Sequence, residues 1–269
     1  MFHKFLAPAV LAAGLLVSTG AQAQLLGRLL PSAQTQSCST HYVGGRAPQI
    51  TNPKLANATR ELCYNVFGVM HSGVTRTPLW SAEHLRADNI EAAQDLSRKD
   101  SFHAEQRLPA GQRAELADYS RSGFDRGHMA PNGNMPDRAS QRDSFSLANI
   151  VPQNHENNTR QWSAIESAVR TMVKREGDLY VITGPAFLGA NLRKVGNVIV
   201  PSHLYKLVYS PRQKAGAAWF LENQADAKLN VIPINELERI IGINLLPALS
   251  DKDKERMLKL PAIREKKRR

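Results

Sequence analysis

A succession of short apolar runs, each the length of a β-strand and each closed by a turn residue, sets the strongest limit on how this chain can fold. Leu179-Tyr180-Val181-Ile182-Thr183 breaks at Gly184-Pro185, and Ala217-Ala218-Trp219-Phe220-Leu221 forms a later run. Between them lie Asn197-Val198-Ile199-Val200-Pro201 and Leu204-Tyr205-Lys206-Leu207-Val208-Tyr209, expected to pair. Such runs are too short for core helices and rich in the β-branched and aromatic residues that pack on a pleated surface. Upstream, Glu61 to Met70 partly alternates and reads as one strand, His71-Ser72-Gly73 as a turn, and Pro78 to Leu85 as a second strand. Helical periodicity is scarcer. Trp162, Ile165, Val169 and Met172 recur at steps of three, four and three, with Asn158 or Thr159 as a cap and Gly177 as the stop. Ile234 to Ile241 reads as a short helix with Asn235 as a cap, and Ser250 as the cap of a last one. The expected class is α+β in one domain: a mixed or antiparallel sheet core with flanking helices.

The ends of the chain read differently. Lys4 precedes an apolar run from Phe5 to about Val17, then Ser18-Thr19-Gly20 and the small-x-small triplet Ala21-Gln22-Ala23. That order is a secretory leader cut before Gln24; the run falls short of the roughly 20 residues that span a bilayer. The organisation is therefore read as leader 1–23, arm 24–40, domain 41–260 and basic tail 261–269, with the protein periplasmic or secreted. In an oxidising compartment Cys38 and Cys63 most often pair, which would tie the N-terminal segment to the strand around Leu62–Val69; two free thiols are the other reading. The formal net charge of +11 favours polyanionic partners, although part of it lies in Arg264-Glu265-Lys266-Lys267-Arg268-Arg269.

Two clusters carry chemistry. In Asp125-Arg126-Gly127-His128, histidine can take a proton near neutrality, and glycine permits close backbone approach or unusual dihedrals. Arginine offers a fork for phosphate oxygens, which aspartate can orient. Alone, four such residues also suit a surface turn. The second cluster runs from Asn149-Ile150-Val151-Pro152-Gln153 through Asn154-His155-Glu156-Asn157-Asn158. Asn158, Trp162 and Glu166 are spaced by four and would share a helix ridge, offering an amide oxygen and a carboxylate to a hard cation that keeps most of its water. His155 and His203 read as polar-loop or structural residues. No glycine-rich nucleotide loop and no Cys/His zinc pattern is present in the sequence.

The run Asp125-Arg126-Gly127-His128-Met129-Ala130-Pro131-Asn132-Gly133 resembles the signature of the DNA/RNA non-specific endonuclease family, a ββα-metal group. Asn149 to Gln153, the Asn158–Trp162–Glu166 spacing, Ile182 to Pro185 and Val200 to Lys206 resemble later family segments in the same order, over about Leu62 to Leu260. The resemblance implies a ββα-metal finger and a magnesium-dependent (or manganese-dependent) endonuclease that cuts DNA and RNA without sequence preference, leaving 5′-phosphate ends. It implies that His128 is the general base, that Asn158 holds the metal and that Glu166 orients the metal's waters. It also implies that Asn149 positions the cluster beside Arg126 and that an upstream arginine steadies the phosphate, with Arg98 and Arg107 both open. At Phe145 the chain departs from the pattern, since some members carry a polar residue there. A non-catalytic extracytoplasmic nucleic-acid-binding protein and a narrower phosphodiesterase are the competing readings, and the sequence leaves monomer and homodimer equally open.

Overall fold

The computed structural model describes residues 1–3 and 38–263; the expected leader beyond its first three residues, the arm as far as Ser37 and the tail from Arg264 lie outside the described residues. The packed body already includes the turn Cys38–His41, where Cys38 and His41 are buried, and Cys38 is disulfide-bonded to Cys63. A short strand β1 (Gln49–Ile50) leads to β2 (Thr59–Cys63), β3 (Phe67–Ser72) and β4 (Thr77–Arg86). The single strand expected from Glu61 to Met70 is thus a hairpin. The chain reverses at Tyr64-Asn65-Val66, where Tyr64 N donates to Phe67 O at 2.9 Å, and Leu62 comes opposite Val69.

Helix α1 (Ala87–Gln94) buries only Ile90 and Ala93, too few to show a helical period in the sequence. Next come β5 (Asp125–His128), α2 (Arg138–Ser144) and β6 (Ile150–Gln153). A π-helical turn over Asn157–Trp162 then runs directly into α3 (Ser163–Glu176). Neither Asn158 nor Thr159 caps this helix; the start lies earlier, where Asn154 Oδ1 accepts from Asn157 N at 3.0 Å. The remaining elements are β7 (Asp178–Ala186), β8 (Lys194–Val195), β9 (Val198–Ile199), β10 (His203–Ser210), β11 (Ala215–Glu222), β12 (Asn230–Ile232), α4 (Ile234–Ile241), β13 (Ile243–Asn244) and α5 (Asp251–Lys254). Pro233, not Asn235, precedes α4, whereas Ser250 does accept from Asp253 N at the start of α5.

Seven strands form one antiparallel sheet in the order β12-β11-β10-β7-β4-β3-β2. Two sequence expectations are corrected here. Strand β9 pairs with β8 and not with β10, and β7 continues through Gly184-Pro185 to Ala186. The proline is tolerated because the β4 side of the ladder has already ended at the Ser81–Thr183 pair, so its missing N–H breaks no bond there.

Alternation along the strands assigns two faces. Leu179 and Val181 of β7, Leu204 and Val208 of β10, and Trp219 of β11 pack beneath α3 with Trp162, Ile165, Val169 and Met172. Ile182, Tyr205, Leu207 and Phe220 face the other way, onto α4 through Ile234, Leu237 and Ile241. The α+β class with flanking helices is the observed one. On the α3 face, however, one register row is polar: Ser81, Thr183 and Lys206 are direct cross-strand partners on β4, β7 and β10, and all three are buried.

Candidate active site

Strands β5 and β6 pair antiparallel over this face, with Asp125 opposite Gln153, Gly127 opposite Val151 and His128 opposite Ile150. Together with the helix that follows they form a two-strand-and-helix unit. Gly127 is required by space and not by unusual dihedrals: a Cβ there would run into the Gln153 side chain. Just beyond, the fully buried Asn149 donates from Nδ2 to Ala130 O (2.8 Å) and Ser144 O (2.9 Å). Its Oδ1 accepts from Ser81 Oγ (2.8 Å) and Ala130 N (2.9 Å). Every polar atom of this amide is committed to the protein, so Asn149 ties the end of β5 to the sheet and touches nothing outside.

His128 ends β5 with 8% of its surface exposed. Phe102 and Phe145 pack on its ring at 5.4 and 4.9 Å between centroids. The segment carrying Phe102 is held there by His103 N to Phe145 O and Leu147 N to His103 O. Burial pushes the imidazole down to about 3, with the Arg98 and Arg126 charges acting in the same direction and Asp100 opposing them. Its Nε2 is buried without a hydrogen-bond partner among the described residues. The ring is therefore neutral near pH 7, with one nitrogen uncommitted. Phe145, at the position where the sequence departs from the family pattern, supplies part of this dry wall.

A cleft of about 480 Å³ opens beside it, lined by Arg98, Asp100, Asp125, Arg126 and Asn158 together with Phe102, Leu116, Tyr119, Ser120 and Phe124. Arg126 lies over the Phe102 ring at 4.1 Å, and Arg98 over Phe145 at 5.1 Å while paired to Asp100. Arg107 is elsewhere. It stacks on Tyr64 at 4.5 Å, forks onto both oxygens of Glu105 and donates to Cys63 O, lining a separate pocket. Of the two upstream arginines, only Arg98 reaches the cleft.

Asp125 fixes the amide of Asn158. Its Oδ2 accepts from Asn158 Nδ2 at 2.8 Å, and the same carboxylate takes His155 Nδ1 at 3.0 Å. A carboxylate can only accept, so the amide nitrogen must face it and Asn158 Oδ1 is left as an oxygen donor. Asn158 and Glu166 do not share a regular ridge, because the π-helical turn between them adds about one residue per turn. Glu166 is half-buried on the first turn of α3, and burial pushes its carboxyl up despite the opposing charges of Lys206, Arg170 and Arg98. Among the described residues no three His, Cys, Asp or Glu side chains converge as a metal site. A neutral amide oxygen beside carboxylates fits a hard, largely hydrated cation that needs few protein ligands.

Beneath this lies a support that sequence reading missed. Lys206 Nζ donates to Thr183 Oγ1 (2.6 Å) and Met129 O (3.4 Å), the residue next to His128, and stands 5.2 Å from the Trp162 ring centroid. Glu83, on the same face, accepts from Asn134 Nδ2 at 3.0 Å; burial pushes its carboxyl up to about 7, partly offset by Lys206. The available signal was a lone lysine in Leu204-Tyr205-Lys206-Leu207-Val208-Tyr209, and a lone glutamate in β4.

Comparison with known proteins gives a consistent set. A family profile described as DNA/RNA non-specific endonuclease matches residues 46–252. Nuclease C1 of Cunninghamella echinulata var. echinulata is 34% identical over 195 residues, covering 65% of this chain and 77% of its own. The human mitochondrial nuclease EXOG is 31% identical over 215 residues, 71% of this chain and 58% of its own, so the chain spans little more than half of that relative. A chain of the crystal structure of the EndoG/EndoGI complex superposes with a TM-score of 0.62 at 26% identity, covering 72% of this chain and 88% of that one.

Proposed function

Because the chain belongs to the DNA/RNA non-specific endonuclease family, we propose that its cleft hydrolyses phosphodiester bonds of DNA and RNA with His128 as general base and magnesium as cofactor. The observation that carries the cofactor assignment is the Asp125–Asn158 hydrogen bond, which leaves one oxygen donor at a cleft lined by two arginines. Asn158 Oδ1 and, through water, Glu166 would hold a hydrated Mg²⁺ (or Mn²⁺), which supplies positive charge to the phosphate and to the departing 3′ oxygen.

The residues of the chain do the rest. His128 Nε2 takes a proton from the water that attacks phosphorus. The P–O3′ bond breaks and the departing 3′ oxygen takes a proton from a solvent water, so that the products carry a 5′-phosphate and a 3′-hydroxyl. Arg98 and Arg126 offset the charge that accumulates on the phosphate oxygens. Asn149 and the Ser81–Thr183–Lys206 row hold these groups in place from below. Contacts of arginine with phosphate read no sequence, which accords with a substrate range set by backbone chemistry.

The test is digestion of plasmid and RNA by wild type and His128→Ala, with and without Mg²⁺ and with end-labelling of the products. Cleavage that needs the cation and is lost by at least about a hundredfold in His128→Ala is expected, general-base catalysis contributing about 10²–10⁴-fold. Undiminished cleavage by the variant would overturn the role of His128. Salt-sensitive binding without cleavage would instead favour the non-catalytic reading.

We further propose export: the leader pattern of residues 1–23 and the Cys38–Cys63 bridge, which persists in oxidising compartments, support a periplasmic or secreted protein beginning at Gln24. N-terminal sequencing of the exported protein checks this.

A further inference from the structure

One wall of the cleft has no task in the chemistry just described. Leu116 and Phe124 line it, Leu116 with 48% of its surface exposed and Phe124 half-buried. The other aromatic surface there is already covered: Phe102 carries the Arg126 guanidinium and packs on Phe145 and His128. Phe124 differs. Its cation partner, Arg193 at 5.1 Å, is not among the residues lining the cleft, whereas Phe124 itself is. Between Leu116 and Phe124 in sequence, Tyr119 also lines the cleft, but it is only 7% exposed and its hydroxyl is buried. Apolar surface and an aromatic ring thus adjoin Arg126 and Asn158 in one cavity of nucleotide-binding size.

We propose that Leu116 and Phe124 form a shelf on which one unpaired nucleobase next to the scissile phosphate stacks. This rests on the reading of the cleft as a phosphodiester-hydrolysing site. A base has apolar faces and a polar edge, which matches this pairing of surfaces better than a second phosphate would. Stacking of this kind is indifferent to base identity and so is compatible with non-specific cleavage. Within a duplex both faces of the base are already stacked, and bringing it to the shelf requires unstacking. The shelf therefore selects single-stranded DNA, RNA loops and frayed ends over intact duplex.

The experiment uses single-stranded oligonucleotides with one ordinary phosphodiester, the other linkages being phosphorothioates, and an abasic nucleotide on one or the other side of it. For wild type, kcat/KM is expected to fall about 5- to 150-fold when one particular flanking base is removed, the range that corresponds to stacking of one base. Phe124→Ala should lose a similar factor on the intact oligonucleotide and nothing further on the abasic one. Leu116→Ser, an exposed position that leaves the fold intact, should show the same pattern with a smaller factor. Equal wild-type cleavage with and without either flanking base would overturn the shelf alone, as would equal losses by Leu116→Ser on intact and abasic substrates. Failure of wild type to cut any of the oligonucleotides would overturn the reading of the cleft, and the shelf with it.

Discussion

At the scale of single residues, the decisive group is one the sequence presented only as a helper. Asp125 accepts from both Asn158 Nδ2 and His155 Nδ1, and in doing so determines which atom of the Asn158 amide remains for a cation. Asp125→Ala frees that amide to rotate. Loss of a group that orients a metal ligand costs about 10- to 100-fold in metal affinity, and the Kd for Mn²⁺ measured by electron paramagnetic resonance should rise by that factor. An unchanged Kd would remove Asp125 from this role.

His128 makes a prediction of opposite character. Its neutral, base-competent form exists above its folded-state pKa, which burial and the two arginines hold well below the ordinary 6.5, at about 3. Activity is lost as pH falls through that lowered value, so kcat/KM should stay level through pH 6.5 and decline only on the acid side of it. An acid limb centred at or above 6.5 would contradict the buried geometry. The same shift makes the fold less stable as pH falls from 6.5 toward 3, because the unfolded chain takes up the proton first.

At the scale of elements, the unit of β5, β6 and α3 is held by a close approach. Gly127→Ala places a methyl group against buried Gln153 and should destabilise the protein by about 1–3 kcal/mol in urea denaturation, with activity falling as His128 shifts. Gly111→Ala, in open space, is the control and should change little. These elements also show what a sequence can reveal. Helix α4 was legible at both ends, and α3 through its apolar period, because a single stripe of residues determines each. The hairpin of β2 and β3 was not, because two adjacent strands with partial alternation look like one until long-range pairing is known. The π-helical turn escaped for a similar reason: spacing by four suggests a ridge only if the helix is regular. The candidate site was suggested by resemblance, through the run from Asp125 to His128 and through Asn158. Its support was not, since the row of Ser81, Thr183 and Lys206 is assembled from three strands distant in sequence.

At the scale of the whole molecule, the Cys38–Cys63 bridge closes a loop of sequence separation 25 and joins the first packed turn to the edge strand of the large sheet. A bridge of this span contributes about 2–4 kcal/mol. Cys38→Ser with Cys63→Ser should lower the stability measured by urea denaturation by that amount, and unchanged stability would show that the turn is held by packing alone.

The polar row across β4, β7 and β10 has a wider consequence for anyone who would improve this protein. Replacing Lys206 with an apolar residue of similar length is the kind of change that hardens a core, since burying charge is costly. Here the same ammonium holds the carbonyl of Met129, next to the proposed general base His128. Robustness and turnover are written in the same side chains along that row, and a search that rewards one will move the other.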